Sequence, residues 1–212
     1  MTGTRGRLVA LEGIDGCGKS TQARILAHRL GAEFTFEPGA TPLGAALRSL
    51  LLEPGAVVVA ERAEALLMAA DRAQHVAEVI EPALVSGRWV VTDRYSASTL
   101  AYQGFGRGLD LGELRSLVDW ATDGLRPDLT VLLDLPVAVA AARRHGAAAD
   151  RMESEADDFH QRVADGFRVL AEDDGDRWLV VDATGSVDDI AASIWGAVEV
   201  LAGPDGPPGG GR

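Results

Sequence analysis

Several features that mark whole classes of protein are missing from this 212-residue sequence. Its one cysteine, Cys17, has no second cysteine with which to form a disulfide within the chain. No apolar run approaches the length of a membrane span, and the run in MTGTRGRLVALEG is too short for a secretory signal peptide. We therefore expect a cytoplasmic protein without membrane contacts.

Positive charge is scarce, and lysine is nearly absent. The formal net charge is -12, which argues against the basic face that sequence-independent binding to nucleic acid requires. Lys19 is the only lysine, so the chain cannot form the Asn-Lys-x-Asp motif with which GTPase switches read guanine. We therefore expect no nucleic-acid partner, whereas a binder of small anions needs only a local positive site.

No internal repeat and no linker divides the chain. A chain of this length with 47% hydrophobic residues can bury one substantial core. Only the last segment, GPDGPPGGGR, has a composition that buries almost nothing. We therefore expect a single domain over residues 1–202 and a disordered tail over residues 203–212.

Short apolar runs alternate with amphipathic stretches, which is typical of an α/β protein. Because runs as apolar as RLVALEG and RWVVTD suit fully buried strands, we expect a parallel sheet flanked by helices on both faces. Right-handed crossovers then place the functional loops at the carboxyl ends of the strands. The predicted strands are 7–13, 32–37, 88–93, 127–135 and 177–183. The predicted helices are 20–30, 42–52, 60–87 with an interruption near Pro82, 96–103, 111–122, 136–145, 154–172 and 187–201.

The stretch GIDGCGKST carries the strongest chemical signal. The pattern G-x-x-x-x-G-K-[ST] is satisfied from Gly13 to Ser20, between a predicted strand and a predicted helix. Glycines let successive backbone N–H groups turn inward, and the helix N-terminus adds the positive end of its dipole. The predicted phosphate-binding residues are Gly13, Ile14, Asp15, Gly16, Cys17, Gly18, Lys19, Ser20 and Thr21.

Lys19 and Ser20 have distinct predicted roles within this loop. A lysine ammonium is a compact, flexible charge that can follow the β- and γ-phosphates during transfer, whereas the planar fork of arginine is larger and more rigid. The Ser20 hydroxyl would bind Mg²⁺. The loop therefore predicts a nucleotide site with Mg²⁺.

Charged residues follow the third predicted strand, at the same edge of the sheet. Asp93 could hold Mg²⁺ or its waters, and Arg94 could clamp a phosphate with two hydrogen bonds. The alternative is a surface ion pair at the end of a strand. Asp134 ends the fourth predicted strand in the same way, and we interpret it as structural or as a neighbour of the nucleotide.

Six segments extend this pattern along the chain: EGIDGCGKST, EPGATPLGAALRSLLL, ERAEALLMAADRAQHVAEVIEPAL, DRYSASTLAYQGFGRG, GLRPDLTVLLDLP and DRMESE. Together they resemble bacterial thymidylate kinase from about residue 7 to residue 200. The resemblance implies the nucleoside monophosphate kinase form of the P-loop NTPase fold, with a five-stranded parallel sheet, a small mobile lid and a homodimer packed through helices. It also implies the reaction of ATP with dTMP to give ADP and dTDP, with Mg²⁺ as cofactor.

The resemblance implies roles around the transferred phosphate. The acceptor is a phosphate oxygen that is already ionised near neutral pH, so alignment and charge neutralisation carry the catalysis. Arg94 would grip the 5′-phosphate of dTMP, and Asp93 would organise Mg²⁺ and its water shell. Asp15 would lie near the acceptor sugar and phosphate, and its alternative is an Asx turn that stabilises the loop.

For the thymine and the deoxyribose, the resemblance implies a second group of residues. Arg72 would donate to thymine O4, which favours thymine or uracil over cytosine, whose exocyclic amine is itself a donor. Arg72 could instead be a solvated arginine on a helix. Tyr102 would lie beside the deoxyribose, where its ring excludes a 2′-hydroxyl. The predicted dTMP-binding residues are Glu37, Arg48, Met68, Arg72, Arg94, Thr99, Tyr102 and Gln103.

The lid is predicted at about residues 143–152. One branch of the family has an arginine in the phosphate loop, where this chain has Gly16, and the other branch supplies that arginine from the lid. Arg144 and Arg151 are therefore the candidates for neutralising the transition state as the lid closes, with Arg143 stacked on adenine. The alternative is an ordinary basic surface loop.

A few positions depart from the family pattern. Phe36 stands where the family has arginine, Ala40 replaces a glycine, and Met68 replaces a phenylalanine that stacks on thymine. A methionine can still cover an aromatic face, and Phe36 could be plain core. These departures leave two alternatives open, a kinase for a modified pyrimidine deoxynucleoside monophosphate in a dedicated biosynthetic pathway and a non-catalytic nucleotide-binding regulator. The presence of Lys19 and Arg94 weighs against the regulator.

Overall fold

The computed structural model describes residues 5–53, 57–144 and 150–205. Its strands are β1 (Leu8–Glu12), β2 (Glu33–Phe36), β3 (Val90–Asp93), β4 (Leu129–Asp134) and β5 (Trp178–Asp182). Over these ranges they form a five-stranded sheet in the order β2-β3-β1-β4-β5, and every neighbouring pair is parallel. The predicted parallel sheet is therefore confirmed, and each strand lies inside its predicted range.

Helices connect the strands and cover both faces of the sheet. The α-helices of the described ranges are α1 (Lys19–Leu30), α2 (Pro42–Leu52), α3 (Glu61–His75), α4 (Glu81–Val85), α5 (Ser96–Thr99), α6 (Leu111–Ala121), α7 (Val137–Arg144), α8 (Asp157–Asp173) and α9 (Val187–Ala202). Short 3₁₀ turns lie at Gly175–Arg177 and Gly203–Asp205, and the rest of the predicted tail is outside the described residues. Where the helices are described, each is too short or too polar to span a bilayer.

The predicted interruption of the long helix near Pro82 is a change of helix type and not a break. The π-helical turn Val76–Ile80 joins α3 to α4, and Pro82 lies in the first turn of α4. The Glu81 N–H donates to the carbonyl of Val76, five residues earlier. The α-helix is thus interrupted before Pro82, as predicted, and the widened turn lets the chain stay helical past a residue that has no N–H. A second π-helical turn, Leu100–Gly106, extends α5 in the same way.

The sheet has a hydrophobic core on each face because successive side chains of a strand point to opposite sides. Val9 and Leu11 of β1 enter the larger core, which includes residues of α1, α8 and α9. Leu8 and Ala10 enter the smaller core, where they pack with Ile80 and its neighbours. Every residue of β1 is buried, so this central strand is a rigid base for the loop that follows it.

The carboxyl ends of β1 and β3 lie side by side. β1 pairs with β3 on one side and with β4 on the other, so the direction of winding across the sheet changes at β1. Leu11 of β1 is in register with Asp93 of β3. The loops that leave the two strands therefore meet in the crevice that an α/β sheet forms at such a switch point.

Candidate active site

The phosphate loop connects β1 to the first turn of α1. Gly13, Gly16 and Gly18 all have positive φ angles, of 137°, 86° and 98°. A Cβ atom on Gly13 would lie 2.7 Å from the carbonyl oxygen of Leu133, in addition to the strain of that backbone conformation. The glycine that opens the motif is therefore required both by the turn and by the close approach of β4.

Lys19 begins α1, and its ammonium bends back over the loop. The side chain is buried, with 5% of the residue exposed, and its Nζ donates to the Ile14 carbonyl at 2.9 Å. The same nitrogen is 4.0 Å from a carboxylate oxygen of Asp15. The side chains of Ile14 and Cys17 are buried in the larger core, and the Cys17 sulfur also accepts from the Lys19 Nζ at 3.7 Å.

Ser20 and Asp93 form the pair that was predicted to hold Mg²⁺. The Ser20 hydroxyl donates to one oxygen of the Asp93 carboxylate. The other oxygen of Asp93 is buried and has no hydrogen-bond partner in the described part of the chain. That part contains no cluster of three or more His, Cys, Asp or Glu side chains that could form a metal cage. A hydroxyl beside an unpartnered carboxylate oxygen fits Mg²⁺, which takes few protein ligands and is completed by waters and phosphates.

Arg94 lies at the centre of the site. Its backbone is left-handed, with a φ angle of 73°, which is uncommon for a residue other than glycine. Its Nη1 donates to the Gly13 carbonyl at 3.2 Å and to the Ser98 hydroxyl at 3.0 Å. Its Nη2 donates to the Asp15 carboxylate and, at 3.1 Å, to the Tyr102 hydroxyl. The guanidinium thus joins the phosphate loop to the segment after β3.

Asp15 and Tyr102 complete the group around Arg94. The Tyr102 hydroxyl donates to the second Asp15 oxygen at 2.7 Å. Burial opposes ionisation of Asp15, but the Arg94 guanidinium and the Lys19 ammonium hold the pKa of that carboxyl well below its usual range. Burial also raises the pKa of the Tyr102 hydroxyl. The site therefore contains an ion pair and a neutral tyrosine, and Asp15 makes long-range contacts beyond any local turn.

A pocket lies on one side of this group, and we call it the acceptor pocket after the residues predicted to bind dTMP. Every residue that was predicted to bind dTMP lines it, and the structure thus brings that whole set together. The lining residues are Asp15, Glu37, Pro38, Arg48, Leu52, Met68, Asp71, Arg72, Arg94, Ser98, Thr99, Tyr102, Gln103, Asp150 and Met152.

Arg72 is a fixed part of the wall of the acceptor pocket, and only 2% of the residue is exposed. Its Nε donates to Glu37 at 2.7 Å, its Nη1 to Thr99 at 2.8 Å and its Nη2 to the Tyr95 carbonyl at 2.9 Å. The other Glu37 oxygen is 2.9 Å from Nδ1 of the fully buried His75. The alternative of a solvated arginine is thereby excluded.

His75 was missed in the sequence, although a signal for it exists. It follows Arg72 by three residues on α3, a spacing that puts both side chains on one face of the helix. Its Nε2 is 2.5 Å from the Thr35 hydroxyl on β2. The imidazole therefore ties Glu37 to the sheet, and a buried histidine at that spacing could have been proposed as a partner of the pocket.

The far rim of the acceptor pocket is organised by Glu64, which was also missed. Its carboxylate accepts hydrogen bonds from Gln103 at 2.9 Å and from Arg151 at 2.6 Å. Arg107 adds bonds at 3.3 and 3.2 Å. Burial acts to raise the pKa of Glu64, but the bonds from Gln103, Arg107 and Arg151 lower it overall. Glu64 is thus a buried ionised group shared by three donors.

The predicted lid is described in part. Arg151 also donates to the Leu51 carbonyl at 2.6 Å, so its hydrogen bonds go to α2 and, through Glu64, to α3. The side chain of Arg144 and residues 145–149 lie outside the described part of the chain. The roles of Arg144 and Arg151 at the phosphates therefore stay predictions.

A second space lies on the other side of Arg94, and we call it the phosphate cleft after the predicted loop residues that line it. Six of the nine predicted loop residues line it, whereas Gly13, Ile14 and Cys17 do not. Arg143 also lines it and donates to the Ala183 carbonyl at 3.0 Å near the end of β5. The lining residues are Asp15, Gly16, Gly18, Lys19, Ser20, Thr21, Arg24, Phe34, Phe36, Glu37, Arg48, Asp93, Arg94, Arg143 and Glu153. Four of them, Asp15, Glu37, Arg48 and Arg94, also line the acceptor pocket, so the two spaces meet there.

Phe36, which departs from the family pattern, is half-buried in the wall of the phosphate cleft. Its ring stacks on Phe34 at a centroid distance of 6.5 Å, and the guanidinium of Arg24 lies 4.3 Å from the centre of the Phe34 ring. Arg24 thus supplies a cation beside the position where the family has arginine. Sequence reasoning missed it because nothing in α1 alone indicates this contact across to β2.

Asp134 is a structural residue in this arrangement. Its carboxylate accepts hydrogen bonds of 3.1, 3.1 and 2.8 Å from Arg168 of α8. It lines neither the acceptor pocket nor the phosphate cleft. Of the two interpretations open for this strand-end aspartate, the geometry supports the structural one.

Comparison with known proteins relates this chain to one family. The family model described as thymidylate kinase matches residues 11–194. A thymidylate kinase from Chromobacterium violaceum is 51% identical over 196 residues, covering 90% of this chain and 92% of that protein. One from Carboxydothermus hydrogenoformans is 49% identical over 205 residues, covering 94% and 100%. The crystal structure of thymidylate kinase from Ehrlichia chaffeensis matches with a TM-score of 0.70 and 32% identity, over 84% of this chain and 93% of that one.

Proposed function

The chain belongs to the thymidylate kinase family, and we propose that it transfers the γ-phosphoryl group of ATP to dTMP at the junction of its two clefts. It is a nucleoside monophosphate kinase, a phosphotransferase with a phosphate acceptor. The main support for this location of the reaction is that Asp15 and Arg94 line both the phosphate cleft and the acceptor pocket. A donor phosphate and an acceptor phosphate can approach each other only where the two spaces are continuous.

Catalysis at this junction rests on charge and alignment. The attacking oxygen belongs to a phosphate that is ionised near neutral pH, so no residue is needed as a strong base. Lys19 would follow the β- and γ-phosphates, and Arg94 would hold the acceptor phosphate in line with them. Because the Asp15 carboxylate already faces the Arg94 guanidinium, it would orient that guanidinium and keep its position before substrates arrive.

Ser20 and Asp93 would hold Mg²⁺, which supplies charge neutralisation on the donor phosphates when bound. The buried, unpartnered oxygen of Asp93 supports this assignment. We expect Ser20→Ala to raise the Mg²⁺ concentration needed for half-maximal rate, with the thermal unfolding temperature as a check on folding. An unchanged Mg²⁺ dependence would remove Ser20 from the proposed site.

Selection of thymine would depend on Arg72. Three of its N–H groups are used by Glu37, Thr99 and the Tyr95 carbonyl, and a guanidinium has five. The remaining N–H groups would donate to O4 of thymine, and a cytosine amine would place donor against donor. Met68 would cover a face of the base, and Tyr102 would exclude a 2′-hydroxyl from the sugar site.

For the missing positive charge at the transferred phosphate, Arg144 is the stronger of the two lid candidates. Arg151 is paired with the buried Glu64, and withdrawing it would leave that carboxylate with fewer donors. Arg143 would contact adenine beside the end of β5. A test is the kcat of Arg144→Ala and of Arg151→Ala, where the larger loss is expected for Arg144→Ala.

We also propose that the chain forms a homodimer. α2 and α3 pack on each other and carry exposed leucines, namely Leu43 (48% exposed) and Leu50 (44%) on α2 and Leu66 (58%) on α3. Light scattering after gel filtration should give twice the chain mass of 22.2 kDa. Leu66→Glu should give the single-chain mass, while the control Val200→Glu on the exposed face of α9 should not. A wild-type protein of single-chain mass would contradict the dimer.

The substrate is tested by steady-state phosphorylation of dTMP, dUMP, dCMP, UMP and 5-substituted dUMPs with ATP and Mg²⁺. We expect the highest kcat/KM for dTMP, because of Arg72 at O4 and the apolar Met68 in the pocket. A strong preference for a 5-substituted dUMP other than dTMP would support the modified-pyrimidine alternative. Absence of turnover on every monophosphate would support the regulator.

A further inference from the structure

Glu12 is a buried carboxylate for which the proposed reaction has no direct use. It is the last residue of β1 and immediately precedes the phosphate loop, and 0% of it is exposed. It lines neither the phosphate cleft nor the acceptor pocket, so it cannot contact a substrate there. A carboxylate is costly to bury without a compensating arrangement, which raises the question of what it does.

Its partners are all in the segment that follows Arg94. One oxygen accepts from the Tyr95 N–H at 2.9 Å and from the Ser98 N–H at 3.1 Å. The other oxygen accepts from the Ser98 hydroxyl at 2.6 Å. These N–H groups lie at the start of α5, where most N–H groups have no partner within the helix. The Ser98 N–H also donates to the Tyr95 carbonyl at 3.1 Å, so Glu12 shares this donor. Glu12 therefore caps the start of α5 from β1.

The Ser98 hydroxyl continues this chain of contacts to the guanidinium. It donates to Glu12 and accepts from Nη1 of Arg94 at 3.0 Å. Glu12, Ser98 and Arg94 thus form one line of hydrogen bonds that ends at the junction of the two clefts. A serine hydroxyl can do both at once because it has one donor and two acceptor sites.

The backbone of Arg94 makes such support necessary. A left-handed backbone is strained for a residue other than glycine and persists only where its surroundings hold it. The Arg94 N–H donates to the Leu11 carbonyl at 3.0 Å, and the Thr92 hydroxyl donates to the Arg94 carbonyl at 2.8 Å. The N–H of the next residue, Tyr95, donates to Glu12, and this bond holds the far side of the same turn.

We propose that Glu12 is a positioning residue for Arg94, acting through the Ser98 hydroxyl and the backbone of the Tyr95–Ser98 turn. It sets the direction in which the guanidinium points, from the strained turn toward Asp15 and the acceptor phosphate. This inference rests on the proposed function, because it assumes that Arg94 holds that phosphate.

The charge of Glu12 agrees with this role. Burial raises the pKa of its carboxyl, while the Ser98 hydroxyl and the Arg94 guanidinium favour the ionised form. All of its contacts use it as an acceptor, which a carboxylate can satisfy with both oxygens. Glutamine has one acceptor oxygen, so Glu12→Gln can keep the cap on the backbone but cannot accept from the Ser98 hydroxyl with its NH₂ group.

Three variants test the proposal by kinetics: Glu12→Gln, Ser98→Ala and the double variant. Each single variant should lower kcat/KM for dTMP by about tenfold, with KM for ATP unchanged within twofold. Because Glu12 and Ser98 act through the same chain of hydrogen bonds, kcat/KM for dTMP should be no lower in the double variant than in the less active single variant. The matched control is Asp134→Asn, which changes a carboxylate that ends a strand and pairs with Arg168. It should leave kcat/KM for dTMP and KM for ATP unchanged.

A purely structural role would give a different pattern. It would lower the unfolding temperature and change the parameters of ATP and dTMP together, or change neither. Multiplicative losses in the double variant would show that Glu12 and Ser98 act independently. Either of these results would overturn the proposal.

A measurement without substrate keeps the inference separate from the proposed function. Nitrogen-15 NMR of the arginine side chains should show slow rotation of the Arg94 guanidinium in the wild-type protein and in Asp134→Asn, and faster rotation in Glu12→Gln and Ser98→Ala. If the wild-type protein fails to phosphorylate dTMP, the proposed function fails, and this readout still decides the positioning role. Unchanged Arg94 rotation in both single variants would overturn that role.

Discussion

Lys19 of the phosphate loop and Arg72 of the acceptor pocket are held in opposite ways. The ammonium of Lys19 bonds to a loop carbonyl five residues away. Arg72 bonds to partners 35, 27 and 23 residues away. The position of Lys19 depends on a short continuous stretch of chain, whereas the position of Arg72 depends on the packing of α3 against β2 and α5. A change at Lys19 should therefore affect mainly catalysis, and a change at Arg72 should affect folding as well.

The largest effect on activity is expected from Lys19→Ala. Loss of the only ammonium at the donor phosphates should lower kcat by about 10²–10³-fold, as for other removed charge-stabilising donors. The unfolding free energy should change by only about 1 kcal/mol, because Lys19 donates one hydrogen bond to the Ile14 carbonyl and a longer, weaker one to the Cys17 sulfur. Steady-state kinetics and urea unfolding measure the two quantities. Lys19→Arg separates charge from shape, and a Lys19→Ala enzyme that kept its turnover would contradict the role of the loop.

Arg72→Met should lower the unfolding free energy strongly, in contrast to Lys19→Ala. It leaves the buried Glu37 with one partner fewer, and breaking a buried ion pair costs about 3–5 kcal/mol of unfolding free energy. The same change should raise KM for dTMP more than KM for ATP. The control is Arg48→Met, since Arg48 lines the same pocket but, among the residues that the structure describes, bonds only to the Pro38 carbonyl, at 2.7 Å. Equal losses of unfolding free energy in the two variants would contradict the proposal that the buried bonds of Arg72 stabilise the fold.

The smallest predicted effect concerns Asp71, which lines the acceptor pocket and accepts from the Gly39 N–H at 3.0 Å. Burial and the neighbouring Glu37 raise the pKa of Asp71 from 3.8 to about 6. The folded state therefore binds this proton more tightly than the unfolded state does, and the contribution of Asp71 to stability falls as the pH rises from 3.8 to about 6.

Asp71→Asn should remove that dependence while keeping an acceptor for Gly39. Its unfolding free energy should exceed that of the wild-type protein by about 1–3 kcal/mol at pH 8, and the difference should vanish below about pH 4. Urea unfolding across this pH range measures it. The nearby Glu37, His75 and Arg72 remain in both proteins, so a pH-independent difference would show that Asp71 is not the responsible group.

Sequence reasoning was strong where local pattern decides structure. Each strand lies inside its predicted range, because continuous apolar runs bounded by turns have few other ways to be buried. It was weaker for the helix near Pro82, where a proline predicts a missing donor but not whether a π-helical turn absorbs it. It did not find Glu12, His75 or Glu64, since each acts through partners that only the folded chain brings within reach.

The order of residues by itself determined the strand, loop and helix that are predicted to bind phosphate, and every residue that the resemblance in six segments predicted for dTMP lines the acceptor pocket. The loop follows from local spacing, because its glycines, Lys19 and Ser20 lie in one short stretch of the chain. Only the tertiary structure decided that Glu12 supports the turn at Arg94 and that His75 holds Glu37 against Arg72. The physical reason is burial: a carboxylate or an imidazole removed from water must find partners, and those partners lie on other strands and helices.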